Sequence, residues 1–403
     1  MRFDLRILPV VAACGAWLTI DSASGAEPAE PAADPVEDVK SADAGFDAYG
    51  GYKAIRSEAT GFFRLEQIDG RHYFITPDGH GFRALGLNHF HMMETKTPES
   101  YDEALANLKK WGFNAGCYQG PRWMWNRIPY TKGINLVPVS VWKRGPRFGF
   151  RDVFDPEFLQ EMEAEVRQIV EPQRENSMLI GYFLTDIPIW KRTRSGEGWL
   201  SFYEDLPADS PGGAVYRRWR ADNRNADEDA FLPVIAKQLY STGCGMIRKY
   251  DPNHLILGDR YHERVDMPES VVREALPYID AISIQPVVRE FDPDAFDKIY
   301  ESYGKPIYIA DHVSAFATPG FPKTMGRMTT DPALYVAYYR RYVTAALARP
   351  YVVGFNKCQY QDEVSPTGML KQGMVRQDET LYPTVDGVAE ANREALRGAY
   401  PID

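Results

Sequence analysis

The chain has 403 residues, 44% hydrophobic and 25% charged, which excludes disorder of the whole chain and allows a full core without disulfide staples. Net charge is −10, from 46 basic and 56 acidic residues with no basic block, which argues against nucleic acid as the main partner. Aromatic content is 13%, with 24 Tyr and 8 Trp, which suits a protein that stacks flat apolar faces against a ligand.

In chain order, Arg2 and Arg6 precede the apolar run Ile7–Ile20, and Ser24-Gly25-Ala26 follows with small residues. That order predicts a secretory signal peptide over 1–26, and so a secreted or periplasmic protein. The run is too short for a spanning helix, and no later run is long enough. Val11-Ala12-Ala13-Cys14 resembles a lipoprotein box, the second option for the same segment. Residues 27–50 are rich in Ala, Pro and acidic residues and read as a flexible linker. The catalytic domain is then expected over 51–403. Of the four cysteines, Cys14, Cys117, Cys244 and Cys358, none has a paired spacing, so no disulfide framework or zinc ribbon is implied.

Gly61 to Ile75, followed by Thr76-Pro77-Asp78-Gly79, predicts a short hairpin. Strands are expected at Phe82–Phe90, Asn114–Gln119, Asn135–Trp142, Leu179–Leu184, His254–Arg260, Asp280–Gln285, Pro306–Ala310 and Val352–Tyr360. Helices are expected at Ser100–Trp111, Asp155–Val170, Phe231–Tyr250, Pro268–Ala275, Asp294–Ser302, Pro332–Ala348 and Thr384–Ala399. Eight strands alternating with helices predict an α/β fold, a (β/α)8 barrel with a short N-terminal hairpin. A doubly wound open sheet is the rival; no glycine-rich phosphate loop follows the first strand, which lowers it. Lys191–Asp229 is polar and reads as an excursion above the barrel.

Barrel enzymes keep their sites at the C-terminal strand ends. Strand one supplies Asn88, His89 and His91, and strand three ends near Trp142. Strand four ends in Asp186, with Trp190 beyond it. Strand five brings Asp259, Arg260 and His262; strand six brings Gln285. Strand seven ends in Asp311-His312, and strand eight supplies Lys357, Gln359, Tyr360 and Asp362. Asp186 and Asp311 end strands on opposite sides of the mouth. Glycoside cleavage needs a carboxylic acid for the leaving oxygen and a second carboxylate as nucleophile or base. Asp186 is the expected acid and Asp311 the expected nucleophile or base. The other residues are expected to position sugar, with no cofactor.

The segments GFFRLEQIDGRHYFITPDGHGFRALGLNHF, LIGYFLTDIPIW, ILGDRYHERV, KPIYIADH and GFNKCQYQDE, in that order, resemble the clan-A glycoside hydrolases, especially the agarase-like (β/α)8 enzymes. The resemblance implies cleavage of a poly- or oligosaccharide, an agarose-like galactan or an anionic glycan. It also exposes departures. Those enzymes end strand four in Asn-Glu, the Glu being the acid/base; here Asp186 matches the Asn and Ile187 the Glu. Their strand-seven nucleophile is Glu; here it is Asp311. Their strand-eight Trp matches Lys357, a cation suited to a sulfate or uronate, with Lys143, Arg144, Arg192 and Arg260 as helpers.

Each Asp is one methylene shorter than Glu, so a wider gap and inversion are expected. Ile187 raises the alternative of a non-catalytic carbohydrate-binding barrel. The remaining rival is a metal hydrolase with Zn2+ on His89, His91, His262 and Asp311; no HExxH helix supports it. The sequence gives no oligomeric state.

Overall fold

The computed structural model describes residues 45–90, 93, 96–118, 120–141, 148–191, 197–262, 267–365 and 368–400. The expected signal peptide, the lipoprotein cysteine Cys14, most of the linker, His91, Trp142, Lys143, Arg144 and Arg192 lie outside them.

Four short strands open the fold: β1 (Tyr52–Arg56), β2 (Arg64–Ile68), β3 (Arg71–Ile75) and β4 (His80–Phe82). They form one antiparallel sheet in the order β1-β4-β3-β2. The chain reverses between β2 and β3 at Asp69-Gly70, both at positive φ (50° and 77°), the backbone a two-residue hairpin turn requires. The turn 76–79 joins β3 to β4 instead. Gly79 is at φ 87°, and a Cβ there would meet Ser57 O at 2.5 Å, so glycine is required on both counts. Packing reaches back into the expected linker: the Phe46 ring lies 5.5 Å from that of Tyr52 and 6.1 Å from that of Tyr400.

Nine strands then form a parallel sheet. They are β5 (Ala84–Asn88), β6 (Ala115–Cys117), β7 (Tyr130–Gly133), β8 (Leu179–Phe183), β9 (Leu255–Ile256), β10 (Arg260–His262), β11 (Ile282–Gln285), β12 (Ile307–Val313) and β15 (Val352–Cys358); β13 (Ala315–Phe316) and β14 (Arg327–Thr329) pair with each other in the loop after β12. The order is β10-β11-β12-β15-β5-β6-β7-β8-β9. The two ends, β9 and β10, belong to one stretch of chain, 255–262. Pairing with β8 runs on through that stretch, with Leu257 N donating to Tyr182 O (2.7 Å), Leu184 N to Gly258 O (2.8 Å) and Arg260 N to Thr185 O (3.0 Å). The sheet therefore curls round on itself, an architecture compatible with a (β/α)8 barrel. Its strands are buried on both faces, as apolar runs without polar alternation require. Inside, Ala84, Ala115, Ile180, Phe183, Tyr308, Ala310 and Val353 pack with Phe63, just before β2, and with Phe74 and Phe82 of the first sheet, which plugs the N-terminal end.

The main helices lie outside: α1 (Pro98–Lys110), α2 (Pro156–Val170), α5 (Leu232–Tyr250), α6 (Glu269–Ala275), α7 (Pro293–Tyr303), α8 (Pro332–Ala348) and α9 (Val385–Ala399). Four share one start signal. Thr97, Asp155, Asp292 and Asp331 each accept a backbone N–H from the first turn, and proline follows each cap. The excursion after β8 contains α3 (Trp199–Asp205) and α4 (Pro211–Asp222).

One strand is elsewhere than expected. The third is Tyr130–Gly133, not Asn135–Trp142. Val137, Val139 and Val141 alternate as in a strand, but Pro138 has no N–H to donate. The segment instead pairs antiparallel with the stretch after β8: Val141 N donates to Ile187 O (3.0 Å) and Ile189 N to Val139 O (2.9 Å). It forms part of the wall above Asp186.

Candidate active site

The parallel register between β12 and β15 shifts between Ile309 and His312. Such a bulge re-aims side chains. Ile309 packs outward and Ala310 inward, and the shift lets Asp311 also face inward while His312 turns out. His312 then stacks on Tyr342 of α8 (ring centroids 4.1 Å), and burial lowers its pKa to about 3. The bulge thus separates two adjacent residues that the sequence places together.

Asp311 is saturated with donors. Asn88 Nδ2, at the end of β5, donates to Oδ1 at 2.6 Å. Arg260 Nη2 lies 3.0 Å from Oδ2, and His89 Nε2 lies 3.3 Å from the same oxygen. Burial alone would raise this carboxyl, but His89, Arg260 and Lys371 outweigh it and hold it well below the ordinary range. Burial, with Lys371 next, lowers His89 to about 4, so at neutral pH its imidazole is uncharged. Asp311 is therefore a buried carboxylate.

Arg260 joins the two aspartates. Its Nη1 lies 3.6 Å from Asp186 Oδ1, and its guanidinium carbon lies 3.7 Å from the centre of the Tyr118 ring. Gln285 Nε2 donates to Asp186 Oδ1 (2.6 Å) and to Arg260 O (2.9 Å). One fully buried cation thus faces a carboxylate on each side. Three non-glycine residues at this rim, His89, Tyr118 and Ile187, have positive φ (58°, 72° and 47°). Such backbone is unfavourable by about 1–2 kcal/mol per residue and concentrates at functional sites.

The remaining expected residues disperse. Asp259 points outward to Tyr240 of α5. Burial raises its carboxyl to about 6, against hydrogen bonds from Tyr240, Thr185 N (2.8 Å) and Tyr261 (3.4 Å). Trp190 is a core residue stacked on Trp199 (5.7 Å). Tyr360 packs on Phe90 (5.0 Å) and Trp111 (5.9 Å). Gln359 Nε2 binds Gln361 O (2.6 Å), and Asp362 accepts from Tyr382 and Gly373 N, both at 2.7 Å. His262 ends β10, half-buried.

Lys357 is not with the carboxylates. Its partners across the sheet are His312 and Leu87, both outward-facing, and its Nζ donates to Cys358 O (3.0 Å). Alternation along β15 aims Asn356 and Cys358 inward instead. The sequence reading missed Cys358 and Lys371 as site residues. A buried apolar strand gives no signal for the first, and the second lies beyond the eighth strand.

His89, Asp311 and Cys358 offer ligand atoms within 4.8 Å of one another. The donor set fits a divalent cation poorly. Arg260 sits on Asp311 Oδ2, Lys371 lies beside Cys358, and burial raises the Cys358 thiol. A metal ion would meet two fixed positive charges there.

Because Asp259 is a raised acid, it destabilises the fold as pH climbs. Its favourable state is complete below the unfolded value of 3.8 and is lost as pH rises to about 6. Relative to Asp259→Asn, the wild type is expected to lose about 3 kcal/mol across that window. Urea midpoints at pH 4 and 7 for both proteins measure it; a pH-independent difference would refute the assignment.

No family model matches the chain. It is 20% identical to beta-agarase B of Vibrio sp. (strain JT0107), over 79% of this chain and 46% of that protein. The chain thus spans about half the length of this curated relative. Its fold matches the crystal structure of the agarase AgWH50C with a TM-score of 0.74, at 20% identity over 88% of this chain and 66% of the other. It matches an exo-beta-agarase structure with a TM-score of 0.71, at 17% identity over 89% and 68% of the two chains. The chain therefore shares its fold with structures of agarases.

Proposed function

We propose that this protein is a secreted or periplasmic glycoside hydrolase acting on a galactan-like or anionic poly- or oligosaccharide. The carrying observation is the pair Asp186 and Asp311 at the ends of two parallel strands, one on each side of Arg260. The agarase fold supports the substrate class. In this reading residues 51–403 form a closed (β/α)8 catalytic barrel behind a signal peptide (1–26) and a linker (27–50). Asp311, held ionised, serves as nucleophile or base. Asp186 serves as the acid in place of the Glu that Ile187 lacks. The shorter side chains favour the wider spacing of an inverting enzyme, about 6.5–9.5 Å. Asn88, His89 and Gln285 hold the carboxylates and sugar hydroxyls in place.

One observation favours a second reading, a carbohydrate-binding barrel without turnover. Both aspartates lie within ion-pair distance of the same guanidinium (3.6 and 3.0 Å), and Ile187 cannot move a proton. The test is incubation with agarose, porphyran, carrageenan and uronate-containing glycans, with products read by NMR. Cleavage with inverted anomeric configuration is the expected result. Retained configuration would remove the inverting assignment. Tight binding without cleavage would select the second reading.

A further inference from the structure

Lys371 has no part in the roles just assigned. It lies on a hairpin of β16 (Glu363–Val364) and β17 (Leu370–Lys371), in which Glu363 pairs with Lys371. Its backbone is fixed on more than one side. Gln359 Nε2 donates to Lys371 O (3.2 Å). The preceding residue binds the neighbouring loop, Leu370 N to Lys323 O (3.0 Å) and Met325 N to Leu370 O (2.8 Å). Gln372, next in the chain, accepts from Phe316 N (2.9 Å) and donates to Phe316 O (3.3 Å). Lys371 is thus built into a wall made by the loops after β12 and β15.

From that wall its charge acts on Cys358, Asp311, its cross-strand partner Glu363 and Asp186. Lys371 helps to keep Asp311 ionised, but the direct contacts to the two carboxylate oxygens come from Asn88, Arg260 and His89. Arg260 and Lys357 are fully buried, whereas Lys371 is only partly buried. Of these three residues it is the one with surface left for a ligand to meet. A fixed, reachable ammonium beside a saturated carboxylate is suited to a second anion brought by the ligand.

We propose that Lys371 is a specificity-determining residue that binds an anionic substituent, sulfate ester or carboxylate, on the sugar seated against Asp311. This rests on the carbohydrate reading above and names its substrate class. The two anions share one chemistry, and the experiment separates them.

The test is titration calorimetry of the full chain with three matched galactan oligosaccharides: neutral, sulfated and uronate-containing. The variants are Lys371→Met, Lys371→Arg and, as a control for loop charge, Lys323→Met at an exposed position. The wild type is expected to bind one anionic ligand at least about tenfold tighter than the neutral one. The tighter of the two names the substituent. Lys371→Met should bring the anionic ligand down to the affinity of the neutral one, while Lys371→Arg and Lys323→Met retain the preference. Should Lys371→Met not fold, Lys371→Gln carries the test with the same expected loss of preference. Equal wild-type affinity for all three, or a preference that survives Lys371→Met, overturns the proposal but not the carbohydrate reading. Binding of none of the three overturns both.

Discussion

Arg260→Gln is expected to destabilise the protein by about 3–5 kcal/mol at neutral pH, the cost of leaving a buried charge without its partner. Asp311 Oδ2 loses its guanidinium at 3.0 Å and Asp186 loses the one at 3.6 Å, while both carboxylates stay in the mouth. Tyr118 also loses the cation over its ring. The pH dependence makes the effect diagnostic. Asp311 has a depressed pKa, so the stability it contributes is present above the unfolded carboxylate value and is lost as pH falls through the folded one. Removing Arg260 shrinks that contribution. The gap between wild type and variant should therefore be widest at neutral pH and narrow in acid. Denaturant titrations at pH 7 and at several pH values below 4, where Asp311 takes up its proton, measure it, with Arg260→Lys expected to fall between, since it keeps the charge but not the fork. A loss below about 1 kcal/mol would mean that the carboxylates find other partners.

Asp311→Asn is expected to lower turnover by about a thousandfold or more on whichever glycan the wild type cleaves, the scale seen when a catalytic nucleophile is removed. Asparagine keeps the shape and can still accept from Asn88, so binding should survive within a few-fold. Asp186→Asn should lose turnover too, more for poor leaving groups than for activated aryl glycosides, because protonation assists only departure. Single-turnover kinetics with both substrate types separate the two roles. Turnover within tenfold of wild type in Asp311→Asn would remove it from the chemistry.

Many element positions were legible locally. The capping residues Asp155 and Asp331 are followed by proline, and α2, α5, α8 and α9 begin within one residue of their expected starts. Strand boundaries were legible where apolar runs were unbroken, as in Leu179–Phe183. They failed at Asn135–Trp142, where alternation was present but Pro138 and the antiparallel partner 187–189 directed the segment elsewhere. Trp190 illustrates a different limit: an indole near a strand end stacks on sugar or on core according to its neighbours, and here Trp199 and Tyr240 enclose it.

The sequence by itself determined the alternation of strands and helices and the presence of Asp186, Arg260 and Asp311 near strand ends, because periodicity and capping are local. Only the tertiary structure decided which of these residues meet. Side chains alternate with period two along a strand, so a one-residue change in register moves a residue to the other face. The bulge before His312 turns Asp311 inward. The register of β15 sends Lys357 outward and puts Cys358 in the mouth. Lys371 arrives from a hairpin whose position depends on Lys323, Phe316 and Gln359. These are long-range backbone pairings, fixed only when the sheet has curled and its loops have packed against one another.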